Sequence, residues 1–103
     1  MLELLSRDSL PRAVFAANDM MALGAIAALN ERGLRVPEDI AVAGFDDIPV
    51  ARLVSPPLTT VAQFPTALGR RAAEMLFERL SGEYTGPGRR ELLKYQLVVR
   101  ASA

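Results

Sequence analysis

The feature that most constrains the fold is the stretch "RAVFAANDMMALGAIAALNERGLRVPEDIAVAGF", residues 12–45. It opens with a compact apolar run behind Pro11, centred on Val14 and Phe15, which predicts a short buried strand over 12–17. "ND" (Asn18, Asp19) can cap the helix predicted from Met20 to Arg32, and Gly33 supplies a C-terminal stop. "VPED" reads as a turn, and "IAVAGF" (40–45) as a second buried strand. Strand, helix and strand at this spacing make a βαβ unit, which demands parallel strands and a right-handed crossover. The predicted class is α/β with a parallel sheet.

The helix carries a second constraint. Between Met20 and Leu29 no polar residue occurs at any angle, whereas an ordinary surface helix shows a polar stripe. One side belongs against the sheet, so the other is expected to meet another part of the fold or a second subunit. Ala22, Gly24, Ala25, Ala27 and Ala28 permit close approach on that side.

Beyond the second strand, "IPVARLVSPP" fits a short helix or an irregular loop stopped by Pro56 and Pro57. "LTTVAQ" (58–63) predicts a β-branched strand. "PTALGRRAAEMLFERLSG" (65–82) predicts an amphipathic helix with an apolar face of Leu68, Ala72, Met75, Leu76 and Leu80. Arg70 and Glu74 would pair on its solvated side. "GEYTGPGRR" reads as a flexible connection. "LLKYQLVVR" then alternates, so Leu93, Tyr95, Leu97 and Val99 are expected on the inner face of a half-buried strand.

Composition narrows the chemistry. The chain has 103 residues, enough for one small core, with 12 basic and 12 acidic residues. A net charge of zero gives no global attraction to nucleic acid or to an anionic membrane. Without cysteine there are no disulfides or thiolate metal sites, and without histidine the commonest general base and zinc ligand are missing. No apolar run approaches bilayer length, and "MLELLSRDSL" lacks the features of a signal peptide. No P-loop and no GxGxxG occurs, and the serines have no histidine base, so an enzyme is not expected.

In an open parallel sheet, ligands bind in the crevice beyond the carboxyl ends of the strands. Asn18, Asp46 and Gln63 follow the first, second and third predicted strands. Each has a plainer alternative: Asn18 or Asp19 as a helix cap, Asp46 and Asp47 as a turn, Gln63 as a loop residue before Pro65. Their common place at one rim raises the binding reading. Two amides and a carboxylate offer donors and acceptors without metal or acid–base chemistry, a set suited to several hydroxyls of a polyol ring. A divalent metal would want more oxygen ligands than the acid pair supplies. A phosphoryl-accepting receiver would want a lysine in the crevice, and Lys94 falls on the last strand.

The stretches "ANDMMALGA", "GLRVPEDIAVAGFDD" and "PPLTTVAQ", in this order, closely resemble the C-terminal sensor region of lactose-repressor/galactose-repressor (LacI/GalR) transcriptional regulators. "LGRRAAEMLFERLSG" and "LVVRAS" extend the resemblance over nearly all of 11–103. The resemblance implies a periplasmic-binding-protein-like fold closing on a small effector, usually a sugar or nucleoside-type molecule, with no cofactor and no metal. It implies a partial domain, lacking the family's N-terminal DNA-binding helix-turn-helix and first subdomain. Residues 1–62 would be part of the C-terminal subdomain, 63–91 a crossover and a helix packing on the other subdomain, and 92–103 a return strand. Carried over by position, Asn18, Asp46 and Gln63 look like effector contacts and Asp47 looks structural. A homodimer is implied through Met20, Leu23, Gly24, Ala27, Leu53 and Val54. The implied setting is the bacterial cytoplasm, with DNA reached only through the missing region and no membrane partner. The rival expectations are a fragment of a transporter's periplasmic sugar-binding protein and a truncated oligomerisation module.

Overall fold

The computed structural model describes residues 1–6 and 9–103. The chain divides into two compact units, Met1–Ala62 with Gln96–Ala103, and Gln63–Tyr95. The expected partition at 63 and 92 differs at its second boundary, since residues 92–95 fall in the second unit.

The first unit begins with a single helical turn, α1 (Leu2–Leu5), followed by β1 (Ala13–Phe15). Helix α2 (Asp19–Glu31) leads to β2 (Ala41–Ala43), and β1 and β2 pair in parallel with Val14 opposite Val42. This is the expected βαβ unit, with strands shorter than their apolar runs. The ends of α2 follow local chemistry. Asn18 caps it, its Oδ1 accepting the Met21 N–H at 2.8 Å. At the other end Gly33 takes φ 71°, the Gly33 N–H donates to Asn30 O at 3.0 Å, and the Leu34 N–H reaches back to Leu29 O at 3.0 Å. That pair of bonds is a Schellman stop, which a side chain at residue 33 would strain.

Helix α2 buries Ala22, Ala25, Ile26 and Leu29 and leaves Met20, Met21, Gly24 and Ala27 exposed. Its buried side joins Val36, Ile40, Val42, Ala51 and Leu58 in one core, with Leu23 and Val54 packed at the margin. Past β2 comes a 3-10 turn, Pro49–Arg52, whose Ala51 is buried. Strand β3 (Thr60–Ala62) continues the parallel arrangement through single bridges, Ala43 to Thr59 and Asp46 to Ala62.

Strand β4 (Gln96–Val98) runs antiparallel to β3, with Val61 opposite Leu97. Here the expected inner face is corrected. Tyr95, Leu97 and Val99 are exposed and Leu93 is only half-buried. The register explains why. Thr60 and Ala62 point into the core, so their partners Val98 and Gln96 share that side, and Leu97 goes outward with Val61.

The second unit consists of α3 (Pro65–Leu80) and the segment to Tyr95. Helix α3 has its expected bounds within two residues but buries none of them; Leu68, Leu76 and Leu80 are exposed. The expected Arg70–Glu74 pair is replaced. Glu74 instead pairs with Arg71 at 3.3 Å, and Arg71 also meets Glu78 at 3.3 Å and Glu91 at 2.8 Å. Arg89 pairs with Glu78 and lies 3.9 Å from the Tyr84 ring centroid, with Arg79 at 5.3 Å. The stretch read as a flexible connection is therefore tied to α3 by charge and stacking.

Candidate functional site

The carboxyl end of β2 carries a pair of unusual backbone conformations. Asp46 has φ 114° and Asp47 φ 55°, two consecutive non-glycine residues with positive φ. Such conformations cost about 1–3 kcal/mol each and persist only where their surroundings over-determine them. The surroundings do so here. The Asp46 N–H donates to Val61 O at 2.9 Å, and the Asp47 N–H donates to Thr60 Oγ1 at 3.4 Å. The Ile48 N–H then donates to Asp19 Oδ2 at 2.8 Å. Three successive backbone donors are thus taken up by β3 and by the first residue of α2.

Asp19 is fully buried, which for a carboxyl group demands partners. Its Oδ2 receives Ile48, and its Oδ1 receives the Thr60 hydroxyl, itself fully buried. Its own N–H donates to Phe45 O at 2.8 Å. One side chain therefore joins the start of α2, the loop after β2 and β3. Gly44 makes room for it. A Cβ at that position would collide with Asp19 Oδ1 and press on Leu58 Cδ2 at 3.1 Å and Ala22 Cβ at 3.2 Å.

The bond from Asp19 to Phe45 sets the residues preceding and following them side by side. Asn18 and Asp46, both half-buried, therefore lie at one rim, at the ends of adjacent parallel strands. Asn18 plays the plainer role, its oxygen being the helix cap, and this leaves the two N–H donors of the amide as what it can offer a ligand. Asp46 brings a carboxylate, an acceptor on both oxygens. Gln63 is the first residue of the second unit, where it lines an open groove with Phe64, Ala67, Arg71, Leu93 and Lys94.

Asp47 does something different. Its Oδ1 pairs with Arg100 Nη2 at 2.7 Å, while Arg100 Nη1 donates to Leu58 O at 2.9 Å. The Arg100 N–H donates to Thr59 Oγ1 at 2.8 Å. Ser102, fully buried, fixes the same tail: its hydroxyl donates to Val42 O at 2.6 Å and accepts the Thr59 N–H at 2.8 Å. Thr60, Arg100 and Ser102 were not singled out by sequence reasoning, and Asp19 was read only as a possible helix cap. Two signals pointed at Asp19 and Thr60, a glycine in the apolar run 40–45 and a hydroxyl residue in the apolar stretch of β3; none pointed at Arg100 or Ser102.

Among the described residues, no group of three or more acidic residues is arranged to hold a metal ion, and no helix is long and apolar enough to cross a membrane. The arrangement can bind by hydrogen bonds.

Comparison with known proteins gives concordant results. The family described as "Periplasmic binding protein-like domain" matches residues 1–103. An HTH-type transcriptional repressor PurR of Pasteurella multocida is 56% identical over 81 residues, covering 79% of this chain and 24% of that protein. Among solved structures, the transcriptional regulator CelR in complex with cellobiose is 47% identical with a TM-score of 0.83, covering 89% of this chain and 28% of that one. The lac repressor dimer bound to operator and an anti-inducer is 38% identical with a TM-score of 0.86, covering 98% and 36%. The chain thus spans 24% to 30% of the length of the curated relatives it matches.

Proposed function

The chain belongs to the periplasmic binding protein-like domain family, in the branch of LacI-type regulators, and on that premise we propose that it is the effector-sensing part of a transcriptional repressor. The observation that carries this reading is the rim itself. Asp46 is held in an unfavourable backbone conformation at a parallel strand end, beside the amide of Asn18, where open α/β sheets take their ligands. The effector is a small polar molecule of sugar or nucleobase type, presenting adjacent hydrogen-bond donors to the carboxylate and an acceptor to the amide. Gln63 is the third contact, from the crossover. The chemistry is binding without catalysis, in the cytoplasm, and DNA is reached through parts of the relatives that this chain does not match. Residues 63–91 are the crossover and the helix serving the other subdomain.

The test is calorimetry of the chain with cellobiose, lactose and a purine base. Asp46→Asn, which keeps the shape and removes the charge, should weaken binding of whichever probe is bound by about ten- to a hundredfold, the worth of a charge-assisted hydrogen bond. Unchanged affinity in that variant would remove Asp46 from the site.

The exposed stripe of α2 supports a second element of the reading, a homodimer. Met20, Gly24 and Ala27 lie on the uncovered side of the helix and Leu53 is 78% exposed; Leu23 and Val54 underlie them from the core margin. A two-fold pairing would cover this apolar surface. Light scattering after size exclusion should give twice the mass of the chain, and Gly24→Glu should return it to one; a wild-type monomer at micromolar concentration would contradict the pairing.

A further inference from the structure

Four contacts spread over Asp46–Ile48 help to secure the conformation of Asp46. Three are backbone donors satisfied by Val61, Thr60 and Asp19. The fourth comes from the tail: the Arg100 guanidinium on the Asp47 carboxylate at 2.7 Å. It differs in kind from the others. It is an ion pair between side chains only 18% and 27% exposed, so water and salt screen it less than a surface pair. Its geometry is also fixed from both ends. One arm of the guanidinium fork holds Leu58 O while the other holds Asp47, and the backbone beneath is tied to Thr59. Two residues further on, Ser102 is bonded to β2 through Val42 and to the β3 segment through Thr59, and its N–H donates to Pro57 O at 3.0 Å. The tail cannot drift with Asp47; Asp47 must follow the tail.

We propose that Arg100 is a positioning residue for the ligand rim: through Asp47 it holds Asp46 at positive φ, so residues 100–103 set the aim of a carboxylate they do not touch. Loss of the ion pair leaves Asp47, and Asp46 with it, able to relax toward extended backbone, which a non-glycine residue prefers. The proposal rests on Asp46 being a ligand contact, and it makes a statement about Asp46 that can be read without any ligand.

That reading is the three-bond HN–Hα coupling of Asp46 in the isotopically labelled 103-residue chain, small at φ 114° and large for extended backbone. Arg100→Ala should raise the coupling and weaken binding of the best of cellobiose, lactose and a purine base by about tenfold. Arg100→Lys keeps the charge and loses the fork, so it should fall between the wild type and Arg100→Ala on both scales. Should Arg100→Ala fail to fold, Asp47→Asn carries the same test, with the same rise in coupling expected. A folded Arg100→Ala chain with the wild-type Asp46 coupling overturns the positioning role, whatever its affinity. A raised coupling in a chain whose wild type binds none of the probes supports the hold on Asp46 and overturns the ligand reading of the rim instead.

Discussion

Leu29, Ile40, Val42 and Leu58 are almost wholly buried in the first unit, whereas no residue of the second, Gln63–Tyr95, is more than partly buried. Both units are ordered into regular elements, but different forces order them. The first closes an apolar core around a βαβ crossover and then satisfies its few buried polar groups with Asp19, Thr60 and Ser102. The second is an amphipathic helix whose polar side is knitted to the following segment by Arg71, Glu74, Glu78, Arg89 and Glu91, with Tyr84 between arginines. The difference teaches where function can be placed. The strained pair Asp46–Asp47 stands on the buried core of the first unit, whereas the one positive-φ side chain described in the second, Phe64 at φ 54°, stands at the exposed start of α3.

The comparison can be broken most sharply at Leu29. Leu29→Ala removes a side chain with no exposure and should cost about 2–5 kcal/mol, read as a lower urea midpoint by circular dichroism. Amide exchange should quicken throughout the first unit and leave the α3 amides as they were. Equal loss in both units would show that they do not differ as described.

A smaller effect is expected from Gly44→Ala. The added methyl meets Asp19, Leu58 and Ala22, so about 1–3 kcal/mol of overpacking should follow, with loosened exchange at the Ile48 amide that Asp19 accepts. Exchange at Ile48 that stays slow would mean Asp19 can yield without losing its hold.

The smallest effects should appear in the second unit. The Arg89 guanidinium beside Glu78 holds that carboxyl below its ordinary value of 4.5. A depressed folded value means the contribution is complete above the ordinary range and is lost as pH falls through the lowered one. Corrected for the intrinsic rate at each pH, the protection of the α3 amides should therefore hold from neutral pH down to the ordinary carboxylate range and fall as pH drops below it, with high salt at neutral pH producing a similar loosening. Exchange in the first unit that responded to salt as strongly as α3 would erase the contrast.

Much of this was legible in the sequence, and the reasons are local. The βαβ order, the cap at Asn18, the stop at Gly33 and the span of α3 all depend on residues within a few positions of each other. The places of Asn18 and Asp46 at the ends of β1 and β2 were legible too, because strand ends in a parallel sheet share one edge. What escaped was set at long range or by register. The role of Asp47 depends on Arg100, 53 positions away, and Asp19 is recognised only once Thr60, 41 positions on, is beside it. Of the strand expected over 92–100 only Gln96–Val98 forms, and which of its faces turns inward was decided by pairing with Thr60 and Ala62, not by apolarity. Positive φ at Asp46 had no signal, since aspartate occupies turns of many kinds.

The long reach of the tail also orders events in time. Ser102 bonds to Val42 across 60 positions, so this contact closes a long loop and forms late relative to the local contacts of α2. The core of α2, β1 and β2 can assemble while residues 100–103 are still undocked, but the rim cannot. During refolding, pulse-labelled exchange should show the Ala22 amide, bonded to Asn18 within the helix, protected before the Val42 amide, whose acceptor is Ser102. Simultaneous protection would mean that the tail docks with the core. Otherwise a chain whose residues 100–103 had not yet docked would hold a folded core beneath an unfixed Asp46–Asp47 turn.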